Sequence, residues 1–138
     1  MTGFLIVTHA NFGKVVTETT EFILDRKLEN TFPVSIEADE APESLRKKIE
    51  KGIKKVKTDK WVIIFTDMFG GTPSNLSYSF LEEGKIEVIS GLNLPILLKA
   101  VSLRDKSENL ETMTTLLVEH GKKSISLASG ILKGTKRE

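Results

Sequence analysis

The chain has 138 residues and a mass of 15.3 kDa, the length of one domain, so we expect residues 1–138 to form a single domain. The formal net charge of +1 argues against a nucleic-acid-binding protein that depends on phosphate contacts. Because the chain has no cysteine, disulfides, thiol nucleophiles and Cys-ligated metal sites are excluded. Neither a membrane-spanning run nor a signal peptide is recognisable, and we therefore expect a cytoplasmic protein.

Predicted strands and helices alternate along the first half of the chain. Residues 4–7 form a short apolar run, which is typical of a strand buried on both faces. Apolar residues at spacings near three and four then predict a helix over residues 12–23. A second strand is expected at residues 32–36, followed by an amphipathic helix from Pro42 to Val56.

The third strand is the strongest in the chain, since residues 61–65 are apolar at every position and indicate a central place in a sheet. Thr72 is predicted to cap the next helix, with Pro73 in its first turn. We expect this helix to run to about Glu82 and Gly84 to end it.

The same alternation continues to the end of the chain. Residues 85–90 predict a fourth strand, and a helix is expected after Pro95. A last long helix is predicted to begin near Ser107.

Four rounds of strand and helix predict a doubly wound, flavodoxin-like α/β sandwich around a four-stranded parallel sheet, with a possible extra edge strand. In such folds ligands bind beyond the carboxyl ends of the strands, often between the first and third. The candidate site therefore consists of residues 8–11 and residues 67–72.

Common phosphate-binding motifs do not occur here. The P-loop pattern is absent, and no two glycines have the spacing of a dinucleotide fingerprint. A response-regulator receiver would have acidic residues after the first strand, where this chain has Thr8 and His9.

His9 and Asp67 are the candidate catalytic pair. Imidazole can carry a phosphoryl group on a ring nitrogen, and that nitrogen must be unprotonated to attack. Adjacent strands lie about 4.8 Å apart, so a carboxylate at the end of the third strand can accept a hydrogen bond from the histidine. Asp67 would then orient His9 and stabilise positive charge on its ring.

Gly70, Gly71 and Thr72 are the candidate phosphate-binding residues. Glycines allow backbone N–H groups to approach an anion, and the helix that follows directs its positive end to the same place. The two glycines could equally form only a tight strand-to-helix turn. Met68 and Phe69, beside them, either form a docking patch for a partner or fold back into the core.

Three segments together resemble the IIA component of the mannose-family phosphotransferase system. They are Thr8-His9, the sequence DMFGGTPSN at residues 67–75, and ISGLNLP at residues 89–95. No single motif is long, but the combination of D-x-x-G-G-[ST]-P-x-N with G-x-N-x-P is specific.

The resemblance implies a homodimeric phosphotransferase subunit in sugar transport. Such a phosphocarrier takes a phosphoryl group from the carrier protein HPr and passes it to a IIB component, which serves the membrane IIC and IID components. His9 would be phosphorylated, Asp67 would orient it, and Thr72 with nearby backbone amides would contact the phosphate. No cluster of metal ligands is evident in the sequence, and we expect no metal or other cofactor.

One departure concerns Ala10, because the family often has glycine after the histidine. Alternative functions are a regulatory module switched by phosphorylation of His9, or the phosphotransferase subunit of a dihydroxyacetone kinase. A flavin or nucleotide binder of the same architecture is a third possibility, which a ligand-induced shift in melting temperature would reveal.

Overall fold

A computed structural model describes residues 1–56 and 59–133 of the chain. Its strands are β1 (Gly3–His9), β2 (Thr31–Ile36), β3 (Val62–Thr66) and β4 (Ile86–Ser90). Its helices are α1 (Phe12–Leu24), α2 (Pro42–Val56), α3 (Thr72–Ser77), α4 (Leu94–Leu103), α5 (Leu110–Lys123) and α6 (Ala128–Leu132).

The four strands are parallel and lie in the order β2-β1-β3-β4, which confirms the flavodoxin-like α/β sandwich. This order makes β1 and β3 direct neighbours at the centre of the sheet, so their carboxyl ends lie side by side. Residues 1–56 and 59–133 contribute no fifth strand to the sheet. No helix within those residues has the length and apolarity needed to cross a membrane.

The core has two layers because successive strand residues point to opposite faces of the sheet. Phe4 and Ile6 of β1 pack in the layer formed with α1, α4 and α5. Leu5 and Val7 pack in the opposite layer, against α2 and α3. All four side chains are fully buried, which is the reason for the continuous apolar run in this strand.

Arg104 joins the end of α4 to the start of β2, at the amino end of the sheet. Its Nη1 donates to the Glu29 carbonyl at 2.6 Å, and its Nη2 donates to the Asn30 carbonyl at 3.1 Å and to Thr31 Oγ1 at 2.9 Å. The guanidinium also lies 4.1 Å from the centre of the Phe4 ring. Burial lowers the pKa of Arg104 to about 10, so it remains charged at neutral pH.

The predicted course of the third helix is wrong at both ends. Gly71 occupies the N-cap position, and Thr72 is the first residue of α3. The helix ends at Ser77 and continues only as a 3₁₀ turn over Tyr78–Phe80. Serine hydroxyls compete for the helix carbonyls here, since Ser77 bonds the Pro73 carbonyl at 2.6 Å.

Gly84 belongs to a turn and does not end a helix. Its φ of +75° lies in the left-handed region, and the Lys85 and Ile86 amides both donate to the Glu82 carbonyl.

The last long helix also begins later than expected. Asn109 caps α5 by accepting a hydrogen bond from the Thr112 amide at 2.7 Å, so the helix starts at Leu110 and not near Ser107.

Candidate functional site

His9 and Asp67 meet at the carboxyl end of the sheet, as the sequence predicted for their positions. His9 is the last residue of β1, and Asp67 follows the last residue of β3. The His9 Nδ1 lies 2.8 Å from Asp67 Oδ2, and the His9 backbone amide donates to the same oxygen at 2.9 Å. The side chain of His9 is 49% exposed, whereas that of Asp67 is only 16% exposed.

This contact selects one form of the imidazole. An ionised carboxylate only accepts hydrogen bonds, so the proton on the His9 ring belongs on Nδ1. In the neutral ring, Nε2 then carries the lone pair. The nitrogen that faces away from Asp67 is therefore the one with nucleophilic character.

Within the described part of the chain, Asp67 accepts hydrogen bonds from His9 alone. Both hydrogen bonds end on Oδ2, and Oδ1 is buried without a partner among the residues that the structure describes. Because no other described side chain holds the carboxylate, its position depends on the backbone on either side of it.

Gly71 brings the following loop against the His9 ring. A Cβ atom at this position would lie 3.0 Å from His9 Cε1, which is closer than most side chains tolerate, and at an ordinary contact distance of 3.6 Å from Nε2. Gly70, immediately before it, has a φ of +83° and turns the chain towards α3. The structure therefore brings Gly71 to the ring, where its small size is needed, and uses Gly70 for the turn that precedes it.

Thr72 lies on the wall of an open cavity of about 540 Å³ that also contains His9 and Ala10. The side chain of Thr72 is exposed, and its backbone N–H has no acceptor within residues 1–56 and 59–133. Of the predicted site residues, Asp67 and Gly71 thus lie against the His9 ring, and Thr72 shares a cavity wall with His9. Gly70 instead faces open space.

The connection between β2 and α2 forms the opposite wall of this cavity, and the sequence interpretation missed it. Glu37 and Glu40 line that wall. A hydrogen bond from Lys48 Nζ, 2.6 Å from Glu40 Oε1, holds the pKa of Glu40 below its usual range. The signal was available, because β2 is the other neighbour of β1 and its carboxyl end must lie beside His9.

The model of the family described as the PTS system fructose IIA component, EIIA-man, matches residues 3–117. That range includes both strand ends and the whole of the cavity. The chain belongs to the EIIA-man family. The resemblance inferred from three short segments is confirmed over most of the chain.

Curated EIIA-man relatives agree with this assignment. The fructose-specific EIIA component of Bacillus subtilis is 31% identical over 106 residues, which are 76% of this chain and 72% of that protein. The mannose-specific EIIAB component of Escherichia coli is 29% identical over 124 residues, covering 89% of this chain. The chain spans only 38% of that longer relative.

Solved structures of EIIA proteins share the fold. An EIIA component from Streptococcus agalactiae superimposes with a TM-score of 0.83 and 26% identity, covering 94% of this chain and 98% of that one. The mannose/sorbose-specific IIA subunit from Enterococcus faecalis has a TM-score of 0.80 at 20% identity, covering 91% and 92%. The second likeness, at its low identity, supports the fold alone.

Ala10 has a physical cost in this EIIA-man chain. Its φ of +47° lies in the left-handed region, where a residue with a Cβ atom is strained. Glycine would adopt this conformation without that strain. Of the two alternatives for Met68 and Phe69, burial in the core is wrong, since the side chains are 53% and 79% exposed.

Proposed function

We propose that this EIIA-man chain is a cytoplasmic phosphocarrier of a sugar phosphotransferase system. It accepts a phosphoryl group from phospho-HPr on His9 and passes it to a IIB component, which serves the membrane IIC and IID components. The observation that carries the proposal is the 2.8 Å contact between His9 Nδ1 and Asp67 Oδ2, which leaves Nε2 as the attacking atom.

The step conserves atoms and charge without a further reactant. The Nε2 lone pair attacks the phosphorus of the donor phosphohistidine, a new N–P bond forms, and the donor N–P bond breaks. The donor ring leaves with the electron pair of that bond. His9 then carries a phosphoryl group on Nε2 and a proton on Nδ1, and the adjacent Asp67 carboxylate balances the positive ring.

Gly70, Gly71 and Thr72 are proposed to bind the oxygens of the phosphoryl group. The closeness of Gly71 to His9 Nε2 supports this placement, as does the Thr72 backbone N–H, which has no acceptor within the described part of the chain. Donors fixed in advance around the transferring oxygens are the main source of catalysis in phosphoryl transfer.

Two exposed apolar regions fit the proposed protein partners. Met68 and Phe69 lie beside the loop of Gly71 and would contact HPr and the IIB component. Near the end of the chain, Ile125, Leu127 and Leu132 are also exposed, which supports burial against a second copy in a homodimer. Light scattering of the purified chain tests that dimer, and a mass of one protomer would contradict it.

Intact mass spectrometry tests the carrier directly. The wild type is incubated with phosphoenolpyruvate, enzyme I and HPr, and we expect one acid-labile phosphoryl group. His9→Ala should gain none. The chain has only two histidines, so His120→Ala is the matched control and should be phosphorylated like the wild type.

The second half of the experiment adds a IIB component of the mannose family. A carrier loses its phosphoryl group to IIB, whereas a regulatory module keeps it. Absence of any mass change, with an HPr shown to be active on another acceptor, would contradict the proposal. Phosphorylation of the His9→Ala variant would also contradict it.

A further inference from the structure

Four hydroxyl groups meet beside the loop that carries Asp67. This hydroxyl cluster consists of Thr66, Ser74, Tyr78 and Ser90. Ser74 Oγ lies 2.6 Å from Thr66 Oγ1 and 2.9 Å from Ser90 Oγ, and Tyr78 Oη lies 3.2 Å from Ser90 Oγ. Ser74 is fully buried, so its hydrogen bonds are made without competition from water.

Ser74 bonds to the residues on both sides of Asp67. Its hydroxyl donates to the carbonyl of Met68, the residue after Asp67. Its oxygen also lies 2.6 Å from the hydroxyl of Thr66, the residue before Asp67, whose single proton can be directed to Ser74 or to Ser90. One side chain of α3 therefore connects to the main chain that leaves Asp67 and to the side chain that precedes it.

The carboxylate needs such support. Asp67 lies just beyond the end of β3, and the sheet register ends at Thr66. Its Oδ2 bonds only His9, and its Oδ1 has no partner among the described residues. The loop then turns through the left-handed backbone of Gly70. The position of the carboxylate thus depends on how firmly residues 66–68 are held.

We propose that Ser74 is a positioning residue for the His9–Asp67 pair. Its effect on phosphoryl transfer rests on the proposed carrier function, while its effect on the His9 ring does not. Without the hydroxyl, the Met68 carbonyl loses a donor and the loop relaxes. Asp67 Oδ2 then moves from His9 Nδ1, and the ring loses its preference for the tautomer with the lone pair on Nε2.

Ser77 provides a matched control on the same helix. It is also fully buried, but its hydroxyl donates to the Pro73 carbonyl within α3. Ser77→Ala and Ser74→Ala therefore remove the same atom from equally buried sites. Only the second change removes a bond to the loop of Asp67.

The experiment compares the wild type, Ser74→Ala and Ser77→Ala with two readouts. NMR of the imidazole nitrogens at neutral pH reports which nitrogen of His9 carries the proton. We expect Nδ1–H in the wild type and in Ser77→Ala, and a mixture of tautomers in Ser74→Ala. Phosphorylation by phospho-HPr should slow on the order of tenfold in Ser74→Ala and remain near the wild-type rate in Ser77→Ala.

Backbone amide spectra establish that each variant is folded. Where Ser74→Ala does not fold, Ser74→Cys replaces it, since a thiol fills similar space and is a weaker donor. Wild-type ring signals in a folded Ser74 variant would overturn the inference, and so would equal effects of the Ser74 and Ser77 changes. A wild type that is never phosphorylated, with tautomers still altered in Ser74→Ala, would refute the carrier function and support the positioning role.

Discussion

At the amino end of the sheet, Arg104 binds two backbone carbonyls and one hydroxyl, whereas at the carboxyl end His9 and Asp67 bond chiefly to each other. The guanidinium thereby fixes the approach to β2 and covers the Phe4 ring. The imidazole is half exposed, with Nε2 and the Thr72 amide free of partners among the described residues.

The two ends differ in what their polar groups can still bind. At the amino end the two Nη atoms of Arg104 hold main chain in place, and this favours stability. At the carboxyl end donor and acceptor capacity remains for a reactant. A change at the amino end should therefore lower stability with little effect on phosphoryl transfer. A change at the carboxyl end should slow phosphoryl transfer with little effect on stability.

Asp67→Asn should have the largest effect. The neutral amide can still accept a hydrogen bond, but it does not balance the positive ring of phosphorylated His9. We expect phosphorylation by phospho-HPr to slow about a thousandfold, with a nearly unchanged melting temperature. Stopped incubations analysed by intact mass measure the rate. A rate within threefold of the wild type would show that the carboxylate is not part of the chemistry.

Arg104→Met should lower the stability of the protein and leave the rate of phosphorylation unchanged. It removes three charge-assisted hydrogen bonds of the guanidinium, although the Glu29 carbonyl keeps the Thr31 hydroxyl as a donor and the Asn30 carbonyl keeps the Phe4 amide. We expect a loss of about 2 kcal/mol in the free energy of unfolding. Urea denaturation measures it, and the phosphorylation rate of the folded variant should not change.

Arg46→Met is the matched control for that prediction. Among the described residues, Arg46 donates a hydrogen bond only to Ser79 Oγ, at 2.8 Å, and it lies 5.9 Å from the centre of the Phe80 ring. Its loss should cost less than about 1 kcal/mol. Equal losses for the two arginine variants would contradict the special role of the amino-end contact.

Alanine substitutions at Gly71 and Gly70 should have different effects, because only Gly71 lies against the His9 ring. In Gly71→Ala the new Cβ would lie 3.0 Å from His9 Cε1, so the ring must shift by a few tenths of an ångström, and we expect an approximately tenfold slower phosphorylation. Gly70→Ala has no atom within 4 Å of its Cβ but a φ of +83°, so it should cost about 1 kcal/mol of stability and leave the His9 ring signals unchanged. Altered His9 ring signals in Gly70→Ala, together with an unchanged phosphorylation rate in Gly71→Ala, would refute the contact between Gly71 and the ring.

Ala10→Gly should have the smallest effect. Glycine removes the strain of a φ of +47° but adds freedom to the unfolded chain, and the two contributions nearly cancel. We expect a change of less than about 1 kcal/mol in stability and a phosphorylation rate within twofold of the wild type. A large gain in rate would show that the methyl group hinders the approach of a partner.

Sequence patterns predicted the sheet and the meeting of His9 with Asp67 because both depend on periodicity and topology. A buried parallel strand must be apolar throughout, and neighbouring parallel strands end at the same edge. The end of α3 was less predictable, since the choice between a helix and a 3₁₀ turn at Tyr78 depends on local serine bonds and on the pairing of Glu82 with Ile86.

Contacts between residues distant in sequence escaped prediction for another reason. Arg104 and Asn30 are 74 positions apart, and no local pattern marks their contact. Ser74 resembled any serine in the first turn of a helix, and its role depends on where β3 and β4 place Thr66 and Ser90. The short helix α6 was also missed, because its five residues are too few to give a periodic signal.

One oxygen of Asp67 binds both the ring and the main chain of His9. The imidazole is thereby tied to its own backbone and presents Nε2 in a single direction. Under the proposed function, the donor and the acceptor of the phosphoryl group must approach along that same line, so their footprints overlap and only one can be bound at a time. Exchange then follows ping-pong kinetics, and an excess of unphosphorylated IIB competes with phospho-HPr for access to the carrier.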